Sequence, residues 1–510
     1  MTNDLNRRGF LVATGALAGG LAFIGPRGLR AQEGGTLRFA LSAYPPSFDA
    51  WASGGTAAGT VKLLMHRGLL SYGADGLLRG ELAESWEVDD AGAWVFKLRD
   101  ATWHDGTPVT AEDIAWNVTE AQKPDSAAFL QGQLAMITSV ETPDDKTVRM
   151  ITTEPLGVLP GWFAHYNMPM IKKDEPRDTM IGAGPFRMGE QDRGVSISLT
   201  ANPDYYKEGL PKLAGIEAIV YADENLRVAA LEAGDVDLIE YVPWQSMAGI
   251  DGNSDLRLDA VDGPFMYLTF NASRAPFDNP LVRRAVAHAI KREDIVAAAF
   301  FDRGAALAHL PIAEKSEFFN PEFKDAWSYD PEKAQALLAE AGYPDGFACT
   351  MLSTAQYGMH QSTAEVCQAY LSMVGINVQL DLPEWSSRVQ KGNEGSYDLA
   401  VMGTTANNND PDGLSNILDG TLPNSFVRSH ALQTPEISEA FARGRAAFDT
   451  EERKEIYREL ERVAIDTVPI VGLAWRSQGY AMKNSVSGFT NMPGQLTFYS
   501  GITLEETMLG

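Results

Sequence analysis

The chain has 510 residues, 45% hydrophobic and 22% charged, with 47 Gly and 27 Pro; this excludes wholesale disorder, a collagen-like repeat and a coiled-coil rod. Acidic residues number 68 against 42 basic ones, and a net charge of −26 repels nucleic acid and anionic lipid. Two cysteines exclude a disulfide scaffold and any metal site built from four thiolates, and the length predicts about two to four domains.

The chain opens with an export address. Asn6-Arg7-Arg8-Gly9-Phe10-Leu11 is a basic start, an uncharged run follows over 11–24, and Leu29-Arg30-Ala31 is a small-residue cleavage site. The run is too short for a membrane-spanning helix, which needs about 20 residues. Its paired arginines resemble a twin-arginine signal, with an ordinary Sec signal as the alternative. Cleavage is expected after Ala31. It takes away one acidic and four basic side chains and lowers the net charge from −26 to −29. No later stretch is apolar enough to span a membrane, and no cysteine near the cleavage site offers a lipid anchor. The expected product is a free periplasmic protein and a monomer.

Strands are predicted at 36–41, 93–99, 147–152, 195–201, 216–221, 265–271, 348–353, 376–382, 398–402 and 470–475. In 93–99, Trp94, Phe96 and Leu98 fall on one face. Helices start at clear signals: Thr110 with Asp113 in capping-box spacing, Asn279-Pro280, Asp330-Pro331, Thr434-Pro435 and Thr450-Glu451. Helices and strands interleave from about 270 to 475, an α/β lobe, while 36–260 is richer in strands. Cys349 falls in a strand and Cys367 in the next helix; two buried free thiols are expected, a bridge being the alternative.

Catalytic signatures are missing. There is no G-x-S-x-G and no H-E-x-x-H, and the seven histidines are scattered, so neither a nucleophile elbow nor a histidine metal site is indicated. No cofactor is expected. Gly182-Ala183-Gly184-Pro185-Phe186 lacks the spacing of a phosphate cradle and reads as a tight turn. Asn407-Asn408-Asn409-Asp410-Pro411-Asp412-Gly413 lacks the closing glutamate of a calcium loop and reads as a turn or ligand-facing loop.

Several phrases carry a family likeness in order and spacing: LRGELAESW at 78–86, FKLRDATWHDGTPVTAED at 96–113, GAGPF at 182–186 and NPDYYKEGLPK at 202–212. LEAGDVDL at 231–238, NASRAPFDNPLVRRAVAHAIKREDI at 271–295, YDPEKAQALLAEAGY at 329–343 and VGINV at 374–378 continue it. Together they resemble the family 5 extracellular solute-binding proteins of ABC importers, which serve peptides, opines, nickel complexes and some oligosaccharides. The resemblance implies an α/β fold, a two-lobed periplasmic-binding-protein clamp (type II, cluster C-like) with an extra domain inserted in the first lobe. It implies lobe I at 32–51, 174–268 and 474–510, the inserted domain at 52–173 and lobe II at 269–473. Strands at 266–271 and 471–476 would cross between lobes. The partner implied is an inner-membrane ABC permease.

In peptide-binding members an Asp shortly before an acidic-Pro pair receives the terminal amine. Here the matching position is Asn407, unless the register slips and Asp410 takes the role. The stretch 354–360 has no arginine for a ligand carboxylate. The expected cleft segments instead supply Tyr44, Trp51, Tyr241, Trp244, Trp385, Asn407 and Trp475. Aromatic faces suit sugar rings, and amides suit hydroxyl-rich ligands. The expected ligand is an oligosaccharide or opine, with a short peptide as the alternative. An exported carbohydrate-active enzyme using paired carboxylates is the rival of another class.

Overall fold

A computed structural model describes residues 34–52 and 55–510, so the expected export segment lies outside the described residues. One sheet of eleven strands runs through the molecule. Its middle is the antiparallel pair Leu256–Phe270 and Val471–Lys483. The pair runs from Leu256 opposite Lys483 to Leu268 opposite Val471, with register breaks between Asp262 and Phe265 and between Met266 and Tyr267. The sequence suggests much shorter crossing strands, at 266–271 and 471–476. In the fold Gly263-Pro264 sits in the first register break, where a proline without an N–H forfeits no ladder bond. Gly263 is required by close approach: a Cβ there would stand 2.0 Å from the Gly494 carbonyl oxygen.

Beside the Lys483 end lie Leu238–Ile239, Thr36–Leu41, Gly215–Val220, Ser196–Ala201 and Phe186–Asp192, in that order. Beside the Phe270 end lie Leu399–Thr404, Phe347–Leu352 and Ile376–Asp381. The result is a two-lobed α/β clamp whose lobes share the crossing pair. Helices Pro280–Ala289, Arg292–Phe300, Gly358–Met373 and Thr450–Thr467 cover the second lobe's sheet, and their apolar faces join Phe265, Val401 and Leu473 in one core.

A separate four-stranded antiparallel sheet has the order Ala83–Val88, Trp94–Leu98, Thr147–Thr152, Ile137–Asp144. Trp94, Phe96 and Leu98 point into its core, as their alternation predicts. Burying each such side chain contributes about 1.5–3 kcal/mol. This core also takes Met492, Leu496, Tyr499 and Ile502 from the end of the chain. Sequence inspection misses Ala83–Val88, Ile137–Asp144 and Phe186–Asp192, whose exposed polar residues mask the alternation.

The helix starts form as the sequence suggests. Thr110 and Asp113 make a capping box, Asn279 accepts from the Leu281 N–H, and Asp330 accepts from the Lys333 N–H. The last long helix is capped one residue earlier than expected, by Asp449. The GAGPF turn is glycine-rich for packing: a Cβ on Gly182 would stand 1.9 Å from the Met65 carbonyl oxygen. Cys349 and Cys367 are both free and buried. Burial pushes each thiol up to about 12, so neither is a nucleophile at neutral pH.

Candidate functional site

Strand direction alone marks where a site belongs. Leu238–Ile239 runs antiparallel to Val471–Lys483 and parallel to Thr36–Leu41, so both strands in the first lobe point toward the second. Leu399–Thr404 runs antiparallel to Leu256–Phe270 and parallel to Phe347–Leu352, which is parallel to Ile376–Asp381. Those three therefore point back toward the first lobe. The carboxyl ends of the two sets face one another across the crossing strands, the favoured ligand position in open α/β sheets.

On the second-lobe side the loops after these strands bring together Tyr357, His360, Trp385 and Arg388. Trp385 opens helix Trp385–Glu394, capped by Glu384, whose carboxylate accepts from the Ser386 and Ser387 N–H groups. Its ring lies edge-on to Tyr357 at 5.5 Å, His360 at 5.7 Å and Phe426 at 6.1 Å. Arg388, one helical turn on, is 0% exposed and sandwiched 5.6 Å from both Trp385 and Phe426. Its Nη2 donates to the Val401 carbonyl at 2.7 Å and to the Met402 sulfur. Its Nε and Nη1 have no partner among the described residues.

Arg476, on the second crossing strand, reaches the same place. Its Nη1 lies 3.2 Å from the Met359 sulfur, and its enclosed Nε is unpartnered. His360 is 2% exposed with Nδ1 unpartnered. Burial drives His360 down to about 3, and Arg388 and Arg476 both push it the same way, so it is neutral. Burial also lowers Arg388 to about 10 against the opposing pull of Tyr267 and Tyr397, and lowers Arg476 against that of Tyr241. Among the described residues no carboxylate forms an ion pair with either guanidinium. Uncompensated charges in such a place cost several kcal/mol each, and an anion relieves that cost.

The first-lobe wall is aromatic. Tyr241 stacks on Phe498 at 6.1 Å, and Tyr166 lies edge-on to Tyr499 at 4.9 Å. The Tyr499 hydroxyl donates to the Asn407 carbonyl at 2.7 Å. The Asn407 side-chain amide has no hydrogen-bond partner among the described residues.

The residues singled out from sequence fall in different places. Trp385 and Asn407 lie at this cleft. Trp244 packs between the two lobes' cores instead, with Nε1 donating to the Ser477 carbonyl at 2.8 Å and its ring edge-on to Phe300. Trp475 neighbours Arg476, so it faces the other side of the sheet. It packs edge-on to Phe265 and lines a separate cavity of about 570 Å³ with Asp262, His309, Lys315 and Tyr329. Tyr44 follows Thr36–Leu41 but turns its hydroxyl to Gln191 at 3.2 Å. Trp51 is 1% exposed in the core around the four-stranded sheet, with Nε1 donating to the Pro169 carbonyl. Asp410 caps the turn at Pro411–Leu414 and pairs with Arg453 through both oxygens, at 2.8 and 2.7 Å. Its charge is taken up inside the protein. Arg388, Arg476 and His360 went unnoticed in the sequence; the signals available were an arginine three residues after Trp385 and another next to Trp475.

Among the described residues no group of His, Cys, Asp or Glu is arranged to hold a metal ion, and no helix is long and apolar enough to cross a membrane.

Residues 78–426 match the family model described as bacterial extracellular solute-binding proteins, family 5 Middle. Glutathione-binding protein GsiB of Pectobacterium atrosepticum is 27% identical over 480 residues, covering 90% of this chain and 92% of that one. The binding protein AgaA from A. tumefacien R10, solved in complex with agropinic acid, is 39% identical, with TM-score 0.81 over 93% of this chain and 99% of that one. DppA from Helicobacter pylori, solved with the peptide STSA, shares the fold at 21% identity and TM-score 0.77, over 94% and 99% of the two chains. Solute binding, not catalysis, is the activity of this family, and the chain belongs to the family 5 bacterial extracellular solute-binding proteins.

Proposed function

We propose that this chain is the periplasmic receptor of an ABC importer, exported by the twin-arginine segment at 1–31, and that its solute is an acidic, opine-like conjugate. The observation that carries the reading is the buried Arg388 guanidinium with the partly buried Arg476 beside it, both lacking a carboxylate partner among the described residues. An anionic group of the solute accepts from their unpartnered N–H groups once binding parts the packing that encloses them, since Arg388 is 0% exposed, and such bonds are stronger than neutral ones. Neutral His360 adds a third polar contact. Trp385 and the Tyr241–Phe498 wall cover the solute's apolar faces, and the Asn407 amide meets its hydroxyls. A neutral oligosaccharide leaves both guanidiniums uncompensated. A peptide's terminal ammonium needs a free acid, and Asp410 is occupied by Arg453. The 39% identical AgaA, whose ligand is agropinic acid, agrees with this choice. In this reading the lobes are 32–51, 174–268 and 474–510 against 269–473, with 52–173 inserted, and the chain acts as a monomer.

The test is native mass spectrometry of protein purified without refolding, then calorimetry with agropinic acid, glutathione and a neutral trisaccharide. Release of an acidic sugar conjugate, or tight binding of agropinic acid alone, supports the reading. Tight binding of the trisaccharide, or of a tripeptide with its carboxylate amidated, overturns it.

A further inference from the structure

Beyond the cleft, the two lobes touch directly, and those contacts involve no solute. The loop after Leu399–Thr404 belongs to the second lobe, where Ala406 and Leu414 sit in its core. It meets the segment around 493–499, where Leu496 and Tyr499 sit in the core of the four-stranded sheet. Asn409 makes a two-way contact: its Nδ2 donates to the Pro493 carbonyl at 3.0 Å, and its Oδ1 accepts from the Gln495 N–H at 2.8 Å. Gln495 answers in kind: its Oε1 accepts from the Thr405 hydroxyl at 2.6 Å and the Ala406 N–H at 2.9 Å. Asn409 thus has both ends of its amide bonded across the lobes, while Gln495 contributes only its Oε1 and its Nε2 stays unpartnered. The loop is braced from behind, because the Asn409 carbonyl accepts from the Ser316 hydroxyl at 2.9 Å.

We infer that Asn409 and Gln495 form a clasp that sets solute affinity without touching the solute. They are positioning residues. Every bond between them stabilises the closed form alone, and apparent affinity scales with the fraction of protein already in the competent form. The clasp also holds Asn407, two residues away, against the first lobe. The inference rests on the solute occupying this cleft and not on its chemistry.

The experiment compares wild type, Asn409→Ala and Asn409→Asp by small-angle scattering without solute and by stopped-flow binding of agropinic acid. In the ligand-free protein, Asn409→Ala is expected to enlarge the radius of gyration. Its Kd for agropinic acid rises about tenfold, mostly through faster dissociation. Asn409→Asp keeps the acceptor for the Gln495 N–H but loses the donor to Pro493, so it falls between the two. Affinities for agropinic acid and for glutathione, if both bind, drop by the same factor, since the clasp meets neither. An unchanged radius together with an unchanged off-rate overturns the inference, as does a loss confined to one solute. If agropinic acid fails to bind wild type, the opine reading falls, and the scattering comparison alone decides the clasp.

Discussion

Replacing Arg388 by Met tests the anion argument, because it moves two observables in opposite directions. Methionine has similar length and stays between Trp385 and Phe426, so packing is largely kept. In the ligand-free protein the change removes a buried charge whose Nε and Nη1 lack partners. Apolar replacement of such a charge is neutral or stabilising by about 1–4 kcal/mol. With solute bound, the same two N–H groups are the donors that the variant lacks. Each charged hydrogen bond contributes about 1.5–3 kcal/mol, so their joint loss is about 3–6 kcal/mol. That corresponds to a Kd increase of at least about 100-fold. Calorimetry with agropinic acid measures the second effect and thermal unfolding without solute the first. A variant that is less stable when empty and binds with unchanged affinity refutes the reasoning, because Arg388 is then a satisfied structural residue.

Other outcomes follow from the same geometry. Asp410→Asn should lower stability by about 1–3 kcal/mol through the loss of its Arg453 pairing, with Kd unchanged; a large rise in Kd at intact stability would return Asp410 to the solute site. Trp385→Ala should weaken agropinic acid binding by about 1–3 kcal/mol, read by calorimetry, since both an aromatic face and the packing of Arg388 are lost. Glu461, 2% exposed on helix Thr450–Thr467, has its carboxyl pushed up to about 8 by burial, with Arg458 opposing and Glu322 assisting. The folded state holds that proton more tightly, so this group's stabilising contribution is complete below the unfolded value near 4.5 and fades as pH rises toward 8. Glu461→Gln should therefore raise Tm at pH 8, by about 1 °C for each kcal/mol relieved in a chain of this length, and have little effect at pH 4. Melting curves at the two pH values check it. His66, His165 and His360 run the other way, each held near 3 by burial, so their contribution is present above 6.5 and is lost as pH falls toward 3. A melt series on the wild type from pH 7 to pH 5 should show Tm falling.

Much of the fold was legible because its signals are local. Thr110 with Asp113, and Asn279-Pro280, are short-range devices that act alike wherever they occur. The crossing strands were half legible. Their second-lobe portions are apolar, whereas 256–262 alternates Leu, Arg, Leu, Asp and ends at Gly-Pro; only pairing with Val471–Lys483 makes it a strand. The site was the least legible part. Trp51 and Trp385 look alike in sequence, yet the Trp51 indole finds a carbonyl 118 residues away while Trp385 faces the cleft. Asp410 looked like a free acid because its partner Arg453 is 43 residues on, at no helical or strand spacing. Beyond their aromatic neighbours, Arg388 and Arg476 carry no local signal of a site, and only tertiary packing brings them together.

Rungs resist bending in a β-ladder, so the two register breaks around Gly263-Pro264 concentrate torsional compliance in a few residues of the crossing pair. The flanking sheets then turn as stiff plates about that short axis. Exposed Leu77, at 51%, and Phe448, at 43%, border a second groove between the four-stranded sheet and the second lobe, so such a turn changes their separation. A dye pair on Leu77 and on an exposed second-lobe residue would report lobe rotation from outside the solute cleft.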